Sequence, residues 1–201
     1  MSTTRSRAPR TPRDATDRER YLALLRAVNV GGRIVKKDAL RDAFARAGGR
    51  NVRTFLASGN VLFDAEPGRV HAIVSAACAR LQPALGAEPL VMLRTAREIA
   101  GLLRRGPFAG VDAPRLLKRY IVFLAGTPRR RPRLPVSNDD EGLDLVFVAK
   151  RECWVVSRRK PNGWYGFPVA FVERAVGVEG TARNWSTVTK LANLFSGGPV
   201  R

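Results

Sequence analysis

A chain of 201 residues with 45% hydrophobic content is long enough to bury a core, as one domain or two small ones. No apolar run approaches the roughly 20 residues that span a bilayer, and no signal-type apolar segment follows the first basic residues, so no membrane is expected and the cytoplasm is the expected location. Lys and Arg number 36 against 17 acids, a net charge of +19, of which the first 20 residues carry only +3; such a chain attracts polyanions, although 30 of the 36 being Arg is equally a mark of codon usage.

Residues 1–20, rich in Arg, Thr, Ser and Pro without an apolar period, read as a disordered basic leader. The apolar run 21–28, broken by Arg26, predicts a buried strand, and Asn29, Val30, Gly31 and Gly32 a turn. Val35, Ala39, Leu40, Ala43, Phe44 and Ala47 mark the stripe of a helix stopped by Gly48 and Gly49. Two β-type runs, 52–56 and 61–63, flank Ser58, Gly59 and Asn60. Gly and Asn tolerate positive φ, so a tight hairpin is expected. Val70, Ile73, Val74, Ala77, Cys78 and Leu81 give a second helix ending within 83–86, and 89–93 a strand.

The order β-α-β-β-α-β is that of the split βαβ, or ferredoxin-like, unit. Right-handed crossovers put the first and third strands in the centre of an antiparallel sheet of order 4-1-3-2, with both helices on one face. The turns at 29–32 and 58–60 then lie at the same end of the sheet. Thr95 and Glu98 form a capping-box pair for a further helix carrying Ile99, Leu102 and Leu103. A boundary near 108–117 makes the expected fold class α+β: a ferredoxin-like domain over 21–110, then a smaller α+β part over 111–196 packed on it, and a tail at 197–201.

In that second part, 119–124 predicts a strand, 127–135 a basic loop and 138–141 an acidic turn. Residues 143–149 and 153–157 predict a hairpin. Pro161, Asn162 and Gly163 predict a turn, and Pro168 opens a helix that Gly177 stops. A last helix is expected to be N-capped by Ser186, with Val188, Leu191, Ala192 and Phe195 on its apolar face.

Two cysteines, Cys78 and Cys153, and the single His71 do not make a clustered zinc site and imply no disulfide, so neither metal nor cofactor is expected. No carboxylate pair stands at a useful spacing, and no catalytic residue is identified. The loop at 29–32 precedes a helix, where backbone N–H groups can hold an anion, but it lacks the spacing of a nucleotide fingerprint. Arg183, Asn184, Trp185, Ser186 and Thr187 offer many donors in five residues. The plainer reading of them is a helix start with Trp185 stapled into the core. The arginines at 129–131 and Arg133 lack the interleaved aromatics that single-strand stacking uses.

Three stretches together resemble one family. They are 24–32, with Leu24, Leu25, Arg26, Asn29, Gly31 and Gly32; 52–63, with Thr54, Ser58, Gly59 and Asn60; and 181–191, with Arg183, Asn184, Trp185, Thr187 and Lys190. The chain is similar over about 21–194 to the bacterial domain-of-unknown-function family numbered sixteen-ninety-seven. It departs from the family pattern at Ala27, where glycine is usual, and over 161–167, where Trp164, Tyr165 and Phe167 replace a Gly-rich turn. The resemblance implies a cytoplasmic α+β protein with ferredoxin-like topology and no established activity.

The leading functional expectation is a site for a small anionic or phosphorylated ligand, built from Arg26, Asn29, Gly31, Gly32, Ser58, Gly59, Asn60, Arg183, Asn184, Trp185 and Thr187. One alternative is a sequence-tolerant RNA- or DNA-binding protein using its basic surface. Another is a protein-interaction module. As a ligand contact, Arg183 would be dispensable for stability; as a bracket tying the last helix to the hairpin, it would not.

Overall fold

The computed structural model describes residues 18–26, 28, 35–106, 108 and 117–196. Among them lie two antiparallel sheets and five helices. The first sheet contains β1 (Glu19–Leu25), β2 (Arg50–Phe55), β3 (Asn60–Ala65) and β4 (Val91–Thr95) in the order β2-β3-β1-β4. Read from the other edge this is the expected 4-1-3-2, with β1 and β3 in the centre and every pairing antiparallel. β1 starts at Glu19, so Glu19 and Arg20 belong to the sheet and not to a leader.

α1 (Lys37–Arg46) and α2 (Val70–Leu85) share one face of this sheet. Leu40, Phe44, Val70, Ile73, Ala77 and Leu81 are buried against Tyr21, Ala23, Leu25, Val61 and Phe63. The alternation along β1 sends Leu22 and Leu24 to the opposite face. α2 passes Pro83 and stops at Gly86, whose φ of 73° is the left-handed C-cap. α3 (Ala96–Arg104) follows β4 directly and carries the full capping box between Thr95 and Glu98.

The second sheet contains β5 (Leu117–Leu124), β6 (Val136–Asn138), β7 (Leu143–Val148), β8 (Glu152–Arg158) and β9 (Gly180–Asn184) in the order β6-β7-β8-β5-β9. With five strands against four it is the larger of the two sheets. α4 (Val169–Val176) covers one of its faces, burying Phe171, Val172 and Val176 on Tyr120, Val122, Leu124 and Val155. The basic loop is not merely solvated. Backbone N–H groups of Arg129 and Arg130, with the Arg130 guanidinium, cap the last carbonyls of α4 at Val176 and Arg174.

The two sheets share a core. Leu22, Leu24, Leu62 and Met92 from the first meet Ile121, Phe123 and Trp154 from the second, with Val188 and Leu191 of α5 (Trp185–Phe195) and Ile99 and Leu102 of α3 among them. Each such side chain contributes about 1.5–3 kcal/mol on burial. Arginines stitch the same boundary. Arg94 on β4, 1% exposed, donates through Nε to Glu152 Oε1 at 2.6 Å and through Nη2 to the carbonyls of Leu124 and Arg151. Arg20 and Arg53 donate to the carbonyls of Phe195 and Leu194 at the C-terminus of α5, where cations are favoured.

Cys78 and Cys153 are both free and buried. Burial pushes their thiols up, to about 11 and about 12 respectively. Neither thiolate forms at neutral pH, so Ellman titration of the native protein is expected to show no fast-reacting thiol and two after denaturation. A native thiol reacting within seconds would contradict this burial.

Candidate functional site

The end of β1, the β2–β3 turn and the start of α5 meet at one place, beside a cleft of about 710 Å³. Why they meet follows from the backbone. The Leu25 N–H donates to the Gly59 carbonyl at 2.8 Å, so the turn after β2 closes on the end of β1. Gly59 has φ 73°, and a Cβ there would stand 3.0 Å from Leu25 Cβ, so a larger residue would be strained and would crowd β1. On the other side β9 pairs with β5, placing Arg183 opposite Ile121. β9 was not expected, because Gly-Thr-Ala-Arg-Asn shows no apolar alternation. It also corrects the cap: α5 begins at Trp185 with Asn184 as N-cap, and Ser186 lies inside the helix.

Arg183 is the hub. Its Nε donates to Asn60 Oδ1 at 2.6 Å, Nη1 to Thr181 Oγ1 and the Ala182 carbonyl at 2.8 Å, and Nη2 to the carbonyls of Ser58 at 2.7 Å and Leu25 at 3.1 Å. Asn60 is held in turn by donating to the Phe55 carbonyl and Ser58 Oγ. All five guanidinium N–H groups are therefore used inside the protein. Among the described residues no Asp or Glu touches Arg183. Burial pushes it down to about 10, which still leaves it charged at neutral pH.

Arg26 is engaged differently. It pairs with Glu173 of α4 and with Glu179 at 3.4 Å, while Glu173 Oε1 also accepts the Gly180 N–H at 2.8 Å. This ties the end of β1 to the entry of β9.

Of the expected site residues, Arg26, Ser58, Arg183, Asn184 and Thr187 line the cleft. Gly59 and Asn60 sit behind its wall as supports for Arg183. Trp185 turns away and packs edge-on against Phe108, 5.7 Å between ring centroids, which is the staple reading. Asn29, Gly31 and Gly32, like Ala27, lie outside the described residues, as do 1–17 and 197–201. The expectation left out Tyr120, Thr181, Leu56 and Phe167, which also line the cleft. Leu56 and Thr181 fall within the motif stretches 52–63 and 181–191, Phe167 is an aromatic where the resembled family has a Gly-rich turn, and Tyr120 carried no signal.

Ser58, Thr181 and Thr187, which carry hydroxyls, are among the residues that line the cleft, and no side chain caps the first turn of α5. Such a helix start favours negative charge. Tyr120, Phe167, Leu56 and Val169 make its apolar part.

These features define a two-sheet α+β protein with a cleft where the end of β1 meets β9. The chain belongs to the family described as Protein of unknown function (DUF1697), whose match covers residues 18–154. The first two motif stretches fall within that span and the third lies beyond it. Among solved structures it is similar to conserved bacterial protein SP0830 from Streptococcus pneumoniae, with TM-score 0.58, 16% identity, 89% of this chain covered and 99% of that one. At that identity the likeness speaks for the fold. No curated protein matches the chain.

Proposed function

We propose that this protein binds a small organic anion, such as a phosphorylated compound, in the cleft between β1 and β9. The observation that carries the reading is the Arg183 charge, 6% exposed and without an acidic partner among the described residues, at the wall of an open cleft. Its donors are spent on the protein, so Arg183 acts through its field, which is stronger in a low-dielectric surround than in water. Direct contacts fall to Ser58, Asn184, Thr187 and the first turn of α5. We read the first sheet with α1 and α2 as a ferredoxin-like domain (21–110) and the rest as a second α+β part (111–196), the ligand lying between them. Two free, buried cysteines suit a reducing compartment, and we place the protein in the cytoplasm. Among the described residues no helix is long and apolar enough to cross a membrane.

The nucleic-acid alternative is supported less, because Arg20, Arg26, Arg53, Arg94 and Arg183 are engaged within the fold. It requires oligonucleotide affinity that falls roughly 10³-fold or more from low to moderate salt. For the anion reading, ribose 5-phosphate near 100 times its Kd is expected to stabilise the wild type by about 2.7 kcal/mol. Thr187→Val should keep the melting temperature of the free protein but lose most of that gain. If neither organic phosphates nor carboxylates raise the wild-type melting temperature, the reading fails.

A further inference from the structure

We infer that the ligand of this cleft carries a flat ring beside its anionic group, as nucleoside monophosphates do. The inference rests on the anion reading above and adds a substrate class to it. Four observations support the ring. Tyr120 and Phe167 meet at 6.1 Å with their planes at 85°, forming a corner of two aromatic walls. Phe167, in the chain before α4, lines the cleft and is 63% exposed. Leu56, from the β2–β3 turn, also lines the cleft while 44% exposed. It holds φ 57°, a left-handed conformation that a branched, bulky residue adopts only when its surroundings impose it.

Size points the same way. A volume of about 710 Å³ suits an organic molecule, and a bare phosphate would leave most of it to solvent. A ring lying against Phe167 would cover that face and Leu56, and edge or offset contacts with the Tyr120–Phe167 corner follow the usual aromatic preference. Its phosphate would then reach toward the hydroxyl-bearing Ser58 and Thr187 and the start of α5, all of which line the cleft. Glu173 and Glu179 offset Arg26 at one edge, so the uncompensated charge stays at Arg183.

The test is calorimetric titration of the full chain with the four common nucleoside monophosphates, the matching nucleosides, ribose 5-phosphate and sodium decanoate. At least one monophosphate is expected to bind about tenfold or more tightly than ribose 5-phosphate, and Phe167→Leu to remove that margin without moving the melting temperature. Ribose 5-phosphate binding as well as every monophosphate overturns the ring and leaves the anion reading standing. Nucleosides binding as well as their monophosphates overturn the anionic half. Decanoate binding in place of the nucleotides overturns the inference in favour of an acyl chain. No binding by any probe overturns both the inference and the reading beneath it.

Discussion

Arg183→Ala is expected to lower the melting temperature of the free protein by roughly 6–12 °C, corresponding to about 3 kcal/mol. The substitution strips Asn60 Oδ1 and the carbonyls of Leu25 and Ser58 of a donor at once. Orphaned buried acceptors cost about 1–3 kcal/mol each, and the relief of removing a desolvated cation offsets part of the sum. Arg183→Lys should rescue little, because an ammonium has three donors and no planar fork to span partners on three segments. Asn60→Ala combined with Arg183→Ala should cost less than the two separately, since they share one network. Differential scanning calorimetry of the wild type and the four variants measures these effects. A melting temperature within a degree of wild type would mean that Arg183 does not hold the hairpin, and that it is available as a direct ligand contact.

The second large effect concerns the buried pair between the sheets. Glu152→Ala should destabilise the protein by about 3–5 kcal/mol in urea titrations, because it leaves Arg94 charged, buried and short of its carboxylate. Burial already pushes the Arg94 guanidinium down, with Glu152 acting in the opposite sense. The double change Arg94→Met with Glu152→Leu should recover most of the loss, since well-packed apolar residues replace a buried pair at little cost. Added salt should hardly alter the single-variant result, because screening acts weakly on groups 1% and 9% exposed. A double variant as unstable as the single one would show that the pair matters for shape and not for charge.

The leading sequence expectation treated Arg183 as a ligand contact dispensable for stability. The structure gives each of its donors a protein partner instead, and the bracket account describes those contacts. The ligand proposal therefore depends on what surrounds Arg183 and on its unneutralised charge. The expected sheet topology puts the turns at 29–32 and 58–60 at one end, whereas the approach of 181–191 to them is expected only from the resemblance and from complementary donors, with nothing local to force it. The Arg183–Asn60 contact joins residues 123 apart in sequence. Hydrogen bonds of that span leave no periodicity behind, and neither does the Arg94–Glu152 pair, 58 residues apart. Each Arg in this arginine-rich chain looks alike until its neighbours are known.

What the sequence by itself determined is the first sheet, three strands of the second and the ends of the helices that glycine stops. Apolar spacing of two and of three to four residues distinguishes strands from helices. Gly86 and Gly177 stop α2 and α4 because only glycine enters the left-handed region cheaply. Six elements with short connections leave the right-handed crossover rule one order of strands, and β2-β3-β1-β4 is the order found. The tertiary structure alone decided β6 and β9, the pairing that joins them to the predicted strands of the second sheet, and the cleft. β9 is a strand because β5 offers it a free edge and Gly180 fits where a Cβ would meet Val122 at 2.8 Å, not because of its own pattern. Its pairing draws Arg183 across to the β2–β3 turn, and so a residue that reads locally as a helix start becomes the buried cation beside the cleft.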